Sequence, residues 1–309
     1  MLKKGKKMMT KNEGLQRFGK FRITRDGLAS KAVLFPTIIL TFVFVYLFIL
    51  FTIFISFSDS KLMPSYNWVG FANYIKLFKL SHWHTALRNM LIFSVLYIGI
   101  STFLGLFLAI LIDLNKFSEN FFRPVYLYPM AISFIVTGTA WKWFLDPGIG
   151  VERIVQLWGF TSFKFDWIKN SNFSIYTVVI AAIWQVSGYV MTIFLAGLRA
   201  ISHETIESAV VDGASIRTLY SKIIIPQLRT SFLSVFVILG HMAIKSYDLV
   251  VALTNGGPGR ASELPSTFMY SYTFTRNQMG VGAASAVFML LIFGIIIIPY
   301  LRSQIKGDR

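Results

Sequence analysis

The stretch "ESAVVDGASIRTLYSKIIIPQ", Glu207 to Gln227, interrupts a chain otherwise dominated by long apolar runs. Ser202 offers an N-cap, and Ile206, Ala209, Val210 and Gly213 recur at i, i+3, i+4 and i+7, which predicts a short helix with one face of apolar and small side chains. Gly213 can take the positive φ that ends such a helix. Ser215 caps a second helix, in which Ile216, Leu219 and Ile223 share a face while Arg217 and Lys222 point to water. Pro226 opens the apolar run that follows, at a first-turn position where its missing N–H costs little. The pattern is helix, break, helix, with Glu207 and Asp212 available to a basic partner. A pair of amphipathic helices lying flat on lipid would share it, so the residues alone leave both readings open.

The surroundings of that stretch are membrane-like. Of 309 residues, 55% are hydrophobic and only 14% are charged, too apolar a balance for an ordinary soluble domain. The 30 Lys and Arg against 14 Asp and Glu give a formal charge of +16, which suits nucleic acid or an anionic surface until its position is read. Lys3, Lys4, Lys6, Lys7, Lys11, Arg17, Lys20, Arg22, Arg25 and Lys31 crowd the segment before the first apolar run. That is the positive-inside pattern and assigns a cytoplasmic N-terminus, with no nucleic acid partner. The apolar run after Lys31 is longer than a signal-peptide core and lacks a small-residue cleavage site. Cysteine is absent, which removes disulfides and thiolate metal sites, and four histidines without an H-E-x-x-H pattern assemble neither a metal site nor a nucleophilic triad.

A span needs about 20 mostly apolar residues. Six such stretches are read at 32–56, 89–112, 122–145, 174–198, 229–253 and 281–301, giving an all-α integral membrane protein with a basic tail at 1–31 and a six-span domain at 32–309. An even count returns the C-terminus to the cytoplasm, where Arg302, Lys306 and Arg309 obey the same charge rule. Segments 57–88, 146–173 and 254–280 then face outward, and 113–121 and 199–228 face inward.

Charges at membrane depth cost several kcal/mol, from about 2.5 upward, and call for an explanation. Lys245 and Asp248 lie three apart in the fifth span and share a helical face on which they can pair; His241 is one turn earlier. This face either lines a pathway or holds a self-satisfied pair inside the bundle. In the fourth span Trp184, Gln185, Ser187 and Tyr189 gather an indole, an amide and hydroxyls, the groups that stack on and hydrogen-bond to sugars. Equally, Trp184 can pack and Gln185 can bond to a neighbouring helix. Asn255-Gly256-Gly257-Pro258-Gly259 is a turn, since glycine permits φ > 0 and proline fixes its own φ.

Glu207-Ser208-Ala209, then Asp212-Gly213-Ala214, then Ile223 and Pro226 resemble the EAA loop of binding-protein-dependent ABC importer permeases, whose pattern runs E-A-A, three residues, G, and later I-x-L-P. Ser208 replaces an alanine and Ile225 a leucine; the spacing from acid to glycine to proline is intact. "WVGFANYIKLF" (Trp68 to Phe78), "RPVYLYPMAIS" (Arg123 to Ser133), "GTAWKWFLDPGIG" (Gly138 to Gly150) and "LTNGGPGRASELPSTFMY" (Leu253 to Tyr270) resemble the sugar branch of that family, in particular the larger permease of maltose systems, and "IYTVVIAAIWQVSGYVMTIFLAGLRAI" (Ile175 to Ile201) and "HMAIKSYDLVVALTNGGPG" (His241 to Gly259) further resemble the permeases of glucose/mannose-type importers.

The resemblance implies a type I ABC importer (MetI-like) permease fold and import of a sugar, such as glucose or mannose. It places a coupling loop at about 201–226, in which Glu207 meets a basic residue of a cytoplasmic ATPase and Gly213 allows close backbone contact. It also implies a second permease, two ATPase subunits and an extracytoplasmic sugar-binding protein as partners. Asp248 falls at a family position, and the Asn255 turn would stand near the entrance. The chain has no G-x-x-x-x-G-K-[ST] phosphate loop, so ATP and Mg would be bound by the ATPase and this subunit would be no enzyme. An oligosaccharide or glycerol phosphate carried by the same machinery is the alternative cargo. An ion-coupled secondary transporter is the alternative mechanism.

Overall fold

In the computed structural model, residues 34–115 and 119–307 are described. Helices carry nearly all of the apolar sequence; the one strand-like pairing among the described residues is an isolated antiparallel bridge between Ser58 and Trp68. The basic run from Lys3 to Lys31, the tail boundary at residue 31 and Arg309 lie outside the described residues. The chain divides into two compact units at Leu50. The first contributes most of α1, which runs Leu34–Ser56, widens into a π-helix over Phe42–Leu47 and exposes its side chains from Leu34 to Phe48, as a helix solvated by lipid would.

The second unit is built around α7 (Ser174–Arg199). Of its apolar window 67% is buried, against 28% for α3 (Ser81–Leu114) and 6% for α1, which makes α7 the helix the others pack on. In α3 the buried residues Trp83, Ala86, Met90, Phe93, Tyr97, Ser101, Gly105, Ala109 and Ile112 recur every three or four positions, while Leu91, Val95, Phe103 and Phe107 on other faces are exposed. One stripe faces protein and the remainder suits lipid. Small residues set the spacing: a Cβ on Gly105 of α3 would strike Val190 and Met191 of α7. One on Gly188 of α7 would overlap the backbone carbonyl of Tyr126 in α4 (Glu119–Ala131). Without a hydrophobic force between helices in lipid, such close backbone contact is what holds a bundle together. A smaller cluster of Leu77 from α2 (Ala72–Lys79), Trp83, Ala86, Phe268, Tyr272, Val281 and Ala284 packs beside this core.

Three described helices are long and apolar enough to cross a membrane: α1, α3 and α7. The expected third and fifth spans are not single helices. The third is broken at Ile132 and Ser133 into α4 and α5 (Phe134–Phe144), where Ser133 accepts a hydrogen bond from the Val136 amide and so recaps the chain. Pro129, three residues before the break, removes an amide donor and shortens α4. A short helix, α6 (Val151–Leu157), follows outside this pair. The fifth is broken at Lys245–Tyr247 into α10 (Arg229–Ile244) and α11 (Asp248–Leu253).

The predicted inward helices are present as α8 (His203–Val211) and α9 (Ile216–Gln227), the latter passing through a π-helix at Leu219–Ile224. The next span does not open at Pro226. Pro226 sits inside α9, the chain bends by 60° at Leu228, and α10 starts at Arg229. The π-widening just upstream lets the helix accommodate a proline that would otherwise collide with the carbonyl four residues back. Beyond α11 come α12 (Pro265–Tyr270), extended by a π-turn over Ser271–Thr275, and the long α13 (Met279–Gly307).

Candidate functional site

Two regions carry polar chemistry: the α8–α9 loop and the cavities at the broken helices. In the loop, Ser202 holds the N-cap position with extended backbone, its hydroxyl 2.6 Å from that of Thr205. At the other end Gly213 has φ +80°, its amide donates to the Val210 carbonyl at 3.0 Å, and the Ala214 amide reaches back to the Ala209 carbonyl at 3.0 Å. These two bonds are the Schellman closure that a left-handed glycine permits. Ser215 caps α9 by accepting from the Thr218 amide.

The buried face differs from the one expected. Ala209 is buried and Ile206 half-buried, but Val210 is 57% exposed, Val211 86% and Ile216 77%. Ile224, rather than Ile216, is the buried anchor of α9. The two helices thus present an exposed apolar tip flanked by the exposed carboxylates of Glu207 and Asp212, with Ser208 turned back to the Glu204 carbonyl at 2.8 Å.

Behind this tip lies a charge cluster that sequence reading missed. Arg199, the last residue of α7, donates to both oxygens of Glu119 at 3.0 and 2.6 Å, and its Nε lies 3.7 Å from Asp113 of α3. Arg123 adds a 3.4 Å contact to Glu119. The Arg199 hydrogen bonds hold the Glu119 carboxyl below its ordinary value. Burial, and then the Asp113 carboxylate, push the Tyr220 hydroxyl of α9 upward, which puts the second loop helix beside the same cluster. The ends of α3, α4 and α7 are tied together next to the loop; a pairing across 80 positions leaves no local signal.

At the break in the fifth span a cavity of about 300 Å³ is lined by His241, Lys245, Tyr247, Asp248, Met242 and Phe134, among others. Lys245 and Asp248 do not form the expected ion pair: Lys245 is the C-cap of α10 and Asp248 starts α11, so the helical spacing that would have joined them is gone. The cavity brings together His241, Lys245 and Asp248 all the same. At the break in the third span, Trp184 and Trp141 meet edge to face at 5.8 Å and line an apolar groove of about 380 Å³. Gln185 lies elsewhere: it is buried and its amide donates to the Ile132 carbonyl at 2.7 Å, satisfying backbone freed by the helix break. Tyr189 is half-buried against the core. Asn255, with φ 51°, lines a third cavity of about 380 Å³ beyond α11, which shares Tyr247 with the cavity of Lys245 and Asp248.

Helices broken at two spans with a cavity at each break, and a separate helix-break-helix loop, are an arrangement suited to moving a solute. A family model described as binding-protein-dependent transport system inner membrane component matches residues 101–305. The chain belongs to this family. The permease is 42% identical to a probable ABC transporter permease protein of Pyrococcus horikoshii, across 89% of this chain and 95% of that one. It is 36% identical to the xylose/arabinose import permease protein of Haloferax volcanii, across 82% and 80%. A solved bacterial ABC transporter involved in the import of the acidic polysaccharide alginate contains a chain that matches at TM-score 0.80, across 93% of the permease and 98% of that chain; at 22% identity this likeness shows the fold. The permease is a transport component with the MetI-like fold and not an enzyme.

Proposed function

We propose that the permease is the pathway-forming subunit of an ATP-driven importer of a neutral sugar. The α8–α9 tip docks on a cytoplasmic ATPase, which binds ATP and Mg, while a second permease completes the pathway and an extracytoplasmic protein delivers the solute. Both termini of this subunit lie in the cytoplasm. The observation that carries the reading is the exposed tip of Val210, Val211 and Ile216, flanked by Glu207 and Asp212 and closed by Gly213 and Ala214. An apolar tip of this kind stays exposed at a cost unless a partner covers it.

The loop is placed to pass motion on. Through Arg199 it continues α7, which carries Trp184 and Tyr189; through Pro226 and Leu228 it continues into α10, whose C-cap is Lys245. Gly197 of α7 packs tightly over Leu228 and Ser231, so the two routes start from one clamped corner. ATP-driven closure of the ATPase pair would displace this corner as a body and tilt α7 at the Trp141–Trp184 groove together with α10 at the Lys245–Asp248 cavity, a rigid-body change of access.

The Haloferax relative is named for xylose/arabinose import, and sequence motifs resemble glucose/mannose permeases, which supports a monosaccharide over an oligosaccharide or glycerol phosphate. The titratable trio His241, Lys245 and Asp248 would also suit an ion-coupled carrier. Proteoliposomes of the co-purified complex decide between them: uptake of labelled glucose, mannose, xylose or arabinose is expected with ATP on the ATPase side and none with a proton or sodium gradient alone. Gradient-driven uptake without ATP would overturn the reading.

A further inference from the structure

The cavity beyond α11 has a built wall that the transport route above does not require. Among the described residues, the non-glycine positions with positive φ are Asn255 at 51°, Arg260 at 80° and Asn277 at 55°; the first two line this cavity. Left-handed backbone at such residues costs of order 1 kcal/mol each, persists where the surroundings over-determine it, and clusters at ligand clamps. The surroundings here do over-determine it. The Thr254 and Ser262 hydroxyls are 2.7 Å apart, Ser262 donates to the Gly257 carbonyl at 2.8 Å, and the Asn89 amide of α3 donates to the carbonyls of Ala261 and Glu263 at 2.8 and 3.0 Å.

The wall also holds a carboxylate with spare capacity. The Glu263 side chain is only 6% exposed, yet its oxygens meet Arg260 Nη1 only at 3.4 Å each. A carboxylate offers about four acceptor sites, so most of them remain for a ligand. Around this pair stand the hydroxyls of Ser271 and Thr275, the Asn255 amide, and Tyr247 packed on Tyr270 at 4.9 Å. Acceptors, donors and aromatic carbon at close quarters are what a ring bearing adjacent hydroxyls needs. The volume of about 380 Å³ is at the small end for ligand sites, which run from about 300 to 1,000 Å³.

We infer that this cavity is an outer sugar subsite, in which Glu263 and Arg260 hold the vicinal hydroxyls of a neutral mono- or disaccharide before it passes Tyr247 into the cavity of Lys245 and Asp248. The buried Glu263 carboxylate stands in the wall beside Arg260, so an anionic sugar meets a like charge there, with Arg276 acting on the same carboxylate only from beyond contact distance. Burial pushes the Glu263 carboxyl up, and Arg260 and then Arg276 oppose the shift without cancelling it. The inference rests on the sugar reading of the proposed function.

The test is calorimetric titration of the nanodisc-embedded complex, without its binding protein, with D-glucose, D-xylose and D-glucuronate. Neutral sugar is expected to bind with glucuronate at least about tenfold weaker, and Glu263→Gln to lose about tenfold in affinity, as expected when a charged acceptor is withdrawn. Thr275→Leu, at an exposed lining position, is expected to lose about threefold and carries the test if Glu263→Gln does not assemble. Neutral-sugar binding that neither variant moves, or glucuronate bound as tightly as glucose, overturns the subsite. If ATP hydrolysis by the wild-type complex with its binding protein answers to those two neutral sugars while the variants bind as wild type does, the subsite alone fails. If it answers to no sugar, the sugar reading fails and takes the subsite with it.

Discussion

Gly188→Leu is expected to abolish accumulation of the folded permease. The position lies in α7, the helix on which α3 and α4 pack, and any Cβ there overlaps the Tyr126 carbonyl. The obstacle is backbone, which cannot rotate aside as a side chain would, so α4 must separate from α7. Overpacking of cores costs about 1–3 kcal/mol and sometimes more, and a clash against main chain belongs at or above the upper end of that range. A bundle held by close van der Waals contact has little else to offset the loss. Membrane yield and a detergent melting curve read the effect. The control is Gly99→Ala in α3, where a Cβ meets nothing within 4 Å, and its yield should match wild type. Equal melting temperatures for Gly188→Leu and wild type would contradict the packing described.

Charge reversal at the α7 terminus gives the second large effect. Arg199→Glu sets three carboxylates, those of Asp113, Glu119 and the new residue, within one cluster, and is expected to lower the amount of sugar moved per ATP hydrolysed rather than hydrolysis itself. The double variant Arg199→Glu with Glu119→Arg restores the opposite-sign pair and should recover much of that ratio. An exposed ion pair is worth only about 0–1 kcal/mol, so a merely stabilising role would move neither ratio nor rescue appreciably. The pH dependence has a fixed sign. The Glu119 carboxyl is lowered from 4.5 chiefly by its Arg199 hydrogen bonds, so the tie is intact above that ordinary value and is released as pH falls through the lowered one. Coupling that is unchanged by the single reversal would remove this cluster from the transmission route.

The loop was legible in the sequence because its signals are local. A left-handed glycine and a serine cap each act within three or four residues, as Gly213 and Ser215 do, and Ser202 holds its assigned N-cap position with its hydroxyl on Thr205 in place of an amide. The face it exposes was not legible. Val210 and Ile216 fit an apolar stripe, but which stripe turns inward depends on where α7 and α10 anchor the loop, and the chain instead buries Ala209 and Ile224. The break at Lys245–Tyr247 had no local mark either, lacking glycine and proline. It is held from a distance, by Ser266 donating to the Ser246 carbonyl at 2.7 Å. By contrast Pro129 did mark the break in the third span, and its effect was outweighed in the reading by the apolar run around it. Gln185 read either as a sugar ligand or as a bond to a neighbouring helix, and its amide takes the second course, meeting the Ile132 carbonyl where the third span breaks.

The central claim is that the α8–α9 tip couples an ATPase to this permease, and Val211 tests it most directly. Val211 is 86% exposed, so changing it leaves the fold of this chain alone. ATP hydrolysis by the reconstituted complex, stimulated by sugar-loaded binding protein, should fall by at least about tenfold in Val211→Arg, the scale of burying an unpaired charge in an apolar contact, and persist in Val211→Leu. Stimulated hydrolysis and uptake that run at the wild-type rate in Val211→Arg would show that the force enters this permease somewhere else.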